Sequence, residues 1–332
     1  MTVEIVILAV DECVGLSIFG PADLFHTANV LHRHEGGKKD VFRTRIVSAD
    51  GESVSTSGGH SFNVEGSLSD VAQPAALLLP GISMEDPGKL MKKVQQLQPL
   101  AETIKQIASP NTILAASCTG TLLAAQAGLL ANKRATTTWW IEGVFQQYFP
   151  EVLLDADEIL VDADNVITSA AGASSLDLSL YLISRLAGPH LSRLCARFMV
   201  IDNARQTQRP YAIPWHEKIR DPFIEKADAW IRKQPSAHGK VETLALELGV
   251  SSRTLLRRFK EHTGGTPQQY MQNIKMELVR HQLEASHDSI AAIAMDFGFS
   301  DENALRRAFS IYSGLSPTQY RKQFHIRGHG QD

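Results

Sequence analysis

Two observations predict an α/β domain followed by an all-α domain. Over the first two hundred residues, short aliphatic runs alternate with stretches of helical length, beginning with VEIVILAV at Val3–Val10. That alternation is the pattern of a mostly parallel sheet covered by helices. Near the end, GVSSRTLLRRFKEHTGGTPQQY (Gly249–Tyr270) returns as GFSDENALRRAFSIYSGLSPTQY (Gly298–Tyr320). A repeat that keeps its order marks duplicated supersecondary structure, and two copies are too few for a solenoid.

A chain of 332 residues, 43% hydrophobic and 21% charged, is long enough for two cores. Its net charge of −3 conceals a division. Residues 1–214 hold 16 Lys and Arg against 22 Asp and Glu, whereas residues 215–332 hold 17 against 14. The basic excess therefore lies with the duplicated region. Cys13, Cys118 and Cys195 are odd in number and widely spaced, which argues against a disulfide framework and for a reducing compartment. With no signal-like segment at the start and no apolar run of spanning length, the expectation is cytoplasmic, with no membrane partner. No metal-ligand spacing and no cofactor motif appears.

In the first domain a helix is expected over about Pro21–Arg33. Strands follow at Arg43–Ser48, Ala75–Leu79, Thr112–Ala116, Glu158–Asp162 and Val166–Ser169. Helices are expected at about Pro87–Ala108, Thr119–Ala127, Ile141–Tyr148 and Ala173–Leu186. A ligand site in such a fold lies at the carboxyl ends of the strands. There, the apolar strand from Thr112 runs into Ser117-Cys118-Thr119-Gly120 and on into an apolar helix. A small-residue turn with Cys at its tip has the form of a nucleophile elbow. The helix N-terminus beneath would lower the thiol pKa, and backbone N–H groups from Gly81 onward, after the strand Ala75–Leu79, would serve an anion there. Three uses of Cys118 stay open: a small buried hydrophobe, a nucleophile, and a redox sensor, which needs an exposed thiol.

SIFGPADLF (Ser17–Phe25), LLLPG (Leu77–Gly81), SCTGTLLAAQAGLLANKRATTTWW (Ser117–Trp140) and ITSAAGASSLDLSLYLI (Ile167–Ile183) together resemble the PfpI branch of the class I glutamine amidotransferase-like superfamily. The resemblance implies a flavodoxin-like fold. Catalysis by Cys118 needs a base. In the regulators this chain resembles, the stretch after Arg134-Ala135-Thr136-Thr137 commonly has His before Trp; here Thr138 precedes Trp139. A binding pocket is thus the expected use, with no catalytic residues. Asp11, Phe19, Cys118, Thr119, Trp139 and Asp177 are its candidate lining. Acidic and aromatic walls suit a cationic amine, and the resemblance extends to regulators of amino-acid and quaternary-amine catabolism. The alternative is a Cys118-dependent amidase or hydrolase, or a redox sensor, fused to a DNA-binding tail.

The chain from His190 to Asn203 reads as a helix with Leu191, Leu194, Phe198 and Ile201 on one face, either closing the first domain or forming a homodimer contact. Domain one is therefore residues 1–203, and ARQTQRPYAIPW, with two prolines, places a linker at 204–216. Asp221-Pro222 caps and starts the next helix, with Phe223, Ala227, Trp230 and Ile231 inward. Residues 217–324 form the second domain and 325–332 a frayed tail.

Each copy of the repeat has helix-turn-helix grammar. Val241, Leu244, Ala245 and Leu248, and then Ile290, Ile293, Ala294 and Phe297, fall at i, i+3, i+4, i+7. Gly249 and Gly298 follow where a helix needs a left-handed residue. Leu255 and Phe259, and Leu305, Ala308, Phe309 and Tyr312, face inward in the second helices. Outward go Arg253, Leu256, Arg257 and Lys260 in the first copy, and Glu302, Asn303, Arg306 and Arg307 in the second. Arg grips guanine, Asn adenine, and Glu accepts from cytosine. One Arg-Arg pair alone is as well read as a solvated face; two copies with matching cores favour double-stranded DNA. The last hundred residues resemble the AraC family of transcription regulators, with Thr266–Ser286 as the helix joining the two units. The resemblance implies a regulator, by preference an activator, with a small-molecule effector, a homodimeric state and RNA polymerase as a protein partner.

Overall fold

The computed structural model describes residues 2–82, 87–202, 205–212, 221–234, 241–263 and 265–325. The chain divides into two compact units, Met1–Gln208 and Arg209–Asp332.

The first unit holds ten strands among the described residues: β1 (Val3–Leu8), β2 (Phe42–Val47), β3 (Val54–Ser55), β4 (Ser61–Phe62), β5 (Ala76–Leu79), β6 (Ile113–Ser117), β7 (Arg134–Ala135), β8 (Leu153–Leu154), β9 (Leu160–Ala163) and β10 (Val166–Ser169). Six build one sheet in the order β2-β1-β5-β6-β10-β9. Every pairing in it is parallel except β10 with β9. Its register sets Val6 beside Leu77, Leu77 beside Leu114, and Leu114 beside Val166. Ile5, Val6, Ile7 and Leu8 are all fully buried. Successive strand residues point to opposite faces, so helices must cover both.

The covering helices are α1 (Leu16–His34), α2 (Pro87–Gln96), α3 (Gln98–Ile107), α4 (Thr121–Gln126), α5 (Glu142–Tyr148), α6 (Ser174–Ala187) and α7 (Pro189–Phe198). Helices α1, α6 and α7 pack on one another, as do α2, α3 and α4. Gly20 lets α1 approach α6 closely, since a Cβ there would lie 2.9 Å from Leu176 Cδ2.

Several boundaries differ from the sequence reading. Helix α1 starts at Leu16, five residues before Pro21, which sits inside it. A proline there forfeits one backbone bond near the helix start without ending the helix. The stretch read as one helix over 87–108 breaks at Leu97, where Pro99 opens α3. Helix α7 ends at Phe198, and Phe198 is 64% exposed rather than sharing a buried face with Leu191. The short pairs β3-β4 and β7-β8 carry too few residues for a period to show in the sequence.

Part of the expected linker, residues 205–212, is described. Arg205–Gln208 is bonded to the first unit: Glu158 and Thr207 form an antiparallel bridge, and the Gln208 N–H donates to Asp157 O at 2.8 Å. In the second unit, Arg209 donates to Ile311 O at 3.2 Å and Arg280 donates to Ala212 O at 2.6 Å. Residues 204 and 213–216 of the expected linker, and the tail beyond 325, lie outside the described residues.

The second unit is all-helical among the described residues: α8 (Pro222–Lys233), α9 (Val241–Glu247), α10 (Ser252–Thr263), α11 (Pro267–Ala285), α12 (Ile290–Asp296), α13 (Glu302–Ser313) and α14 (Pro317–Phe324). It has two cores. Leu244, Ala245, Leu255 and Phe259 meet α8 and the start of α11 in one. Ile293, Ala294, Leu305, Phe309 and Tyr320 meet the rest of α11 in the other. The repeated tyrosines have matching tasks: Tyr270 donates to Asp228 at 3.0 Å and Tyr320 to Glu284 at 2.6 Å. Both α11 and α14 begin with a capping box, Thr266 with Gln269 and Ser316 with Gln319. The turn glycines Gly249 and Gly298 have φ of +67° and +64°, the left-handed region that side chains with a Cβ avoid.

Replacing Gly298 by Val should therefore destabilise the second core by roughly 1–2 kcal/mol. Urea unfolding of the full chain checks this; an unchanged midpoint would show that the turn tolerates a Cβ.

Candidate ligand and nucleic-acid sites

The two second helices of the repeat, α10 and α13, bury Leu255 and Phe259, and Leu305 and Phe309, and so fix which side chains face outward. Arg253, Leu256, Arg257 and Lys260 are all exposed, the apolar Leu256 to 47%. Among the described residues Arg257 makes a long contact, 3.5 Å, to Glu261, a pair with both side chains mostly in solvent and of little energetic weight. Arg258, one residue on, turns back over the Phe223 ring at 4.5 Å and ties α10 to α8.

On α13, Asn303 and Arg307 are exposed, while Glu302 and Arg306 are half-buried and paired with each other. Arg306 also reaches Thr318 Oγ1 at 3.4 Å, next to the start of α14. The eight expected contact residues thus divide into six that face solvent and one intrahelical pair. Asp301 caps α13 and accepts from the Ala304 N–H at 2.7 Å, which holds its carboxyl below the usual range.

In the first unit, the chain turns sharply where β6 ends. Cys118 has φ of +54°, a left-handed conformation unusual for any residue but glycine. Hydrogen bonds hold it there. Its N–H donates to Ala170 O at 3.0 Å, and its carbonyl accepts from Thr121 Oγ1 at 2.7 Å and Thr137 Oγ1 at 3.1 Å. Gly120 is required by proximity, since a Cβ would lie 2.2 Å from Pro80 O. The elbow is real, and its neighbours Gly81, Ala170 and Gly172 lie past the ends of adjacent parallel strands, β5 and β10.

Its chemistry is not that of an activated thiol. Cys118 is only 6% exposed, and burial pushes its pKa up, against smaller lowering contributions from Gly172, Thr119 and Thr138. The expected anion donors are occupied as well. The Gly81 N–H donates to Ser17 Oγ at 3.1 Å, and the Ile82 N–H donates to Thr119 Oγ1 at 2.7 Å. Thr119 donates back to Ile82 O at 2.7 Å and is fully buried. Thr119 clasps two loops together. Beside the thiol, the fully buried Thr138 hydroxyl interacts with the Cys118 sulfur, and among the described residues Ser169 Oγ at the end of β10 makes no hydrogen bond. One buried polar atom, Ser169 Oγ, is thereby left for a ligand or water to satisfy.

The other expected lining residues are spread around this end of the sheet. Asp11 accepts from the Ser55 N–H at 3.0 Å. Phe19 is 42% exposed and meets Phe62 edge-on, with centroids 4.9 Å apart. Trp139 is half-buried, its N–H donating to Gln208 at 3.3 Å. Asp177, in the first turn of α6, is bound by Arg205 at 2.6 Å and so is not a free acidic wall. Burial raises its pKa while Arg205 opposes the rise. Arg205 and Gln208 escaped the sequence reading, because partners 28 residues away for Arg205 and 52, 69 and 71 away for Gln208 leave no periodic trace. An open groove of about 570 Å³ along the end of α7, lined by Arg193, Arg197 and Val200 among others, shares no residue with the elbow.

Comparison with known proteins assigns both units. Residues 4–185, more than half the chain, match the model of the DJ-1/PfpI family. The chain belongs to the DJ-1/PfpI family. Residues 244–323 match a helix-turn-helix domain. The transcriptional regulator CdhR of Pseudomonas aeruginosa is 25% identical over 317 residues, covering 92% of this chain and 89% of that protein. The regulator GbdR of the same species is 23% identical, over 95% and 83% respectively. A solved structure of a putative transcriptional regulator from Vibrio parahaemolyticus superposes with a TM-score of 0.51 at 22% identity, covering 60% of this chain and all of that one. This member of the DJ-1/PfpI family is thus an AraC-type helix-turn-helix regulator with a PfpI-like first domain.

In this DJ-1/PfpI domain the raised thiol pKa lowers the thiolate fraction at neutral pH. Cys118 should react with iodoacetamide at least about tenfold more slowly than an unstructured cysteine peptide at pH 7, and recover the peptide's rate in urea. Mass spectrometry of the Cys118 peptide reads this; rapid native labelling would show an exposed, activated thiol instead.

Proposed function

We propose that the protein binds promoter DNA through α10 and α13 and that a small-molecule effector, bound at the elbow end of the first domain, sets the outcome. The observation that carries the reading is the pair of helix-turn-helix cores strung on α11, each leaving its second helix exposed. Nineteen residues of helix span about 28 Å. That suits recognition helices in successive major grooves, about 34 Å apart on one side of a duplex. Arg253, Arg257 and Arg307 are the principal base or phosphate contacts, with Leu256, Lys260 and Asn303 beside them. Arg306 and Glu302 hold one another and set the edge of the second reading surface.

The elbow serves binding and not catalysis. Its thiol is buried, which pushes its pKa up, and Thr138 precedes Trp139 where a His base would be expected. The Ser169 hydroxyl, the rings of Phe19 and Trp139, and the Asp177 carboxylate, which already holds the Arg205 guanidinium, support an amino acid or quaternary amine as effector. A bound ligand acts through its differential affinity for two arrangements of the chain. Activation, homodimerisation, contact with RNA polymerase and a cytoplasmic site complete the proposal. Among the described residues no helix is long and apolar enough to cross a membrane.

Binding to a promoter library at fixed salt, with and without a panel of amino acids and quaternary amines, tests the reading. Selective binding shifted by one member of the panel is expected. Arg257→Ala should weaken operator binding by about tenfold and flatten the salt dependence by about one counterion if its contact is to phosphate. An unchanged affinity would remove Arg257 from the interface, and no selective binding would overturn the proposal. Cys118→Ser should respond to effector as the parent does.

A further inference from the structure

The chain leaving the first unit is gripped by it at two points. Arg205 extends its guanidinium to Asp177 on α6, with Nη2 2.6 Å from Oδ2, and the Asp177 side chain is only 10% exposed. Three residues on, Gln208 is 3% exposed and donates from Nε2 to Thr137 O at 2.6 Å and to Ala156 O at 2.5 Å, while accepting from the Trp139 N–H. Between these grips, the Ile159 N–H donates to Gln206 O at 3.2 Å and Thr207 Oγ1 donates to Asp157 O at 2.9 Å. Thr137, which receives Gln208, also donates its hydroxyl to Cys118 O. A continuous hydrogen-bonded path therefore joins the elbow to the departing chain.

We propose that Arg205–Gln208 is a displaceable strap, in which Arg205 occupies the Asp177 carboxylate as a tethered substitute for a cationic effector and is expelled when that effector binds. The proposal rests on the reading that the elbow end takes a cation. A buried carboxylate without a partner is costly, so Asp177 favours a cation at all times. Exchanging one cation for another keeps that carboxylate paired, and the cost of exchange falls on the strap. The tether gives Arg205 an effective concentration that a free ligand must exceed.

The consequence follows from chain continuity. Gln208 is the last residue of the first unit and Arg209 the first of the second, where it is held by Ile311 O. Freeing Arg205–Gln208 gives the second unit four further residues of tether, about 13 Å when extended.

Hydrogen exchange on the full chain reads the strap through the Gln208 and Ile159 amides, with methylguanidinium as the probe. In the native protein the probe should speed exchange at both amides by about tenfold, and Asp177→Asn should abolish the response. By calorimetry Arg205→Gln, which vacates the carboxylate, should bind methylguanidinium at least about tenfold more tightly than the parent. Glu158 and Thr207 face one another across an antiparallel bridge, where Cα separations of about 4.5–5.5 Å permit a disulfide. A Glu158→Cys, Thr207→Cys pair, folded with the strap in place, should bind the probe weakly when oxidised and normally when reduced. Probe binding without any change in strap exchange, or equal affinity in the oxidised and reduced pair, overturns the strap and leaves the cation site standing. No binding of the probe to Arg205→Gln overturns both.

Discussion

Helix α11 has to belong to two hydrophobic cores at once, and the second unit's architecture depends on that. Met271 and Ile274 near its start pack with α8, α9 and α10; Met276, Val279 and Leu283 pack with α12, α13 and α14. Neither three-helix group buries enough on its own to be independent of that shared helix. Because the helix is rigid, the distance and rotation between the two exposed reading surfaces follow from its length and from which residues it turns to each core. Arg232 strengthens the first attachment by bonding both Asp228 on its own helix and Glu277 on α11. Lys275, over the Phe299 ring at 4.0 Å, ties the same helix to the second turn.

The duplicated unit was legible because its constraints are local and repeated. Gly249 and Gly298 occupy left-handed turns, Leu255 and Phe259 match Leu305 and Phe309, and the prolines that open α11 and α14 sit behind capping Thr and Ser. Each residue type follows from its backbone position, so the pattern predicts the structure nearly residue by residue. The parallel sheet was equally plain, since strands buried on both faces must be aliphatic throughout. What the pattern did not reveal were the interruptions. Pro21 looked like a helix start and lies inside one, and the break at Leu97 is hidden in an otherwise continuous amphipathic run.

The elbow was legible in form and not in chemistry. Small residues around Cys118 require a tight turn, which is present. Whether the thiol is activated depends on what surrounds it in three dimensions. The N–H groups that spacing suggested for an anion are taken by Ser17 and Thr119, and burial pushes the thiol pKa up. Asp177 illustrates the same limit: its position in the first turn of α6 was readable, its partner Arg205 was not. Long-range polar pairing obeys geometry that no sequence period encodes.

The place where one unit's grip ends and the other's begins also bears on how such proteins are recombined. Composition sets the boundary near residue 204, where prolines and polar residues begin, yet the bonds set it between Gln208 and Arg209. A fusion cut at the compositional boundary would hand the foreign partner four residues whose docking groups stayed behind on Asp177, Thr137 and Asp157. A cut after Gln208 would keep each fragment with the contacts it evolved beside. Domain shuffling among related regulators, natural or engineered, should therefore carry this short segment with the sensing half.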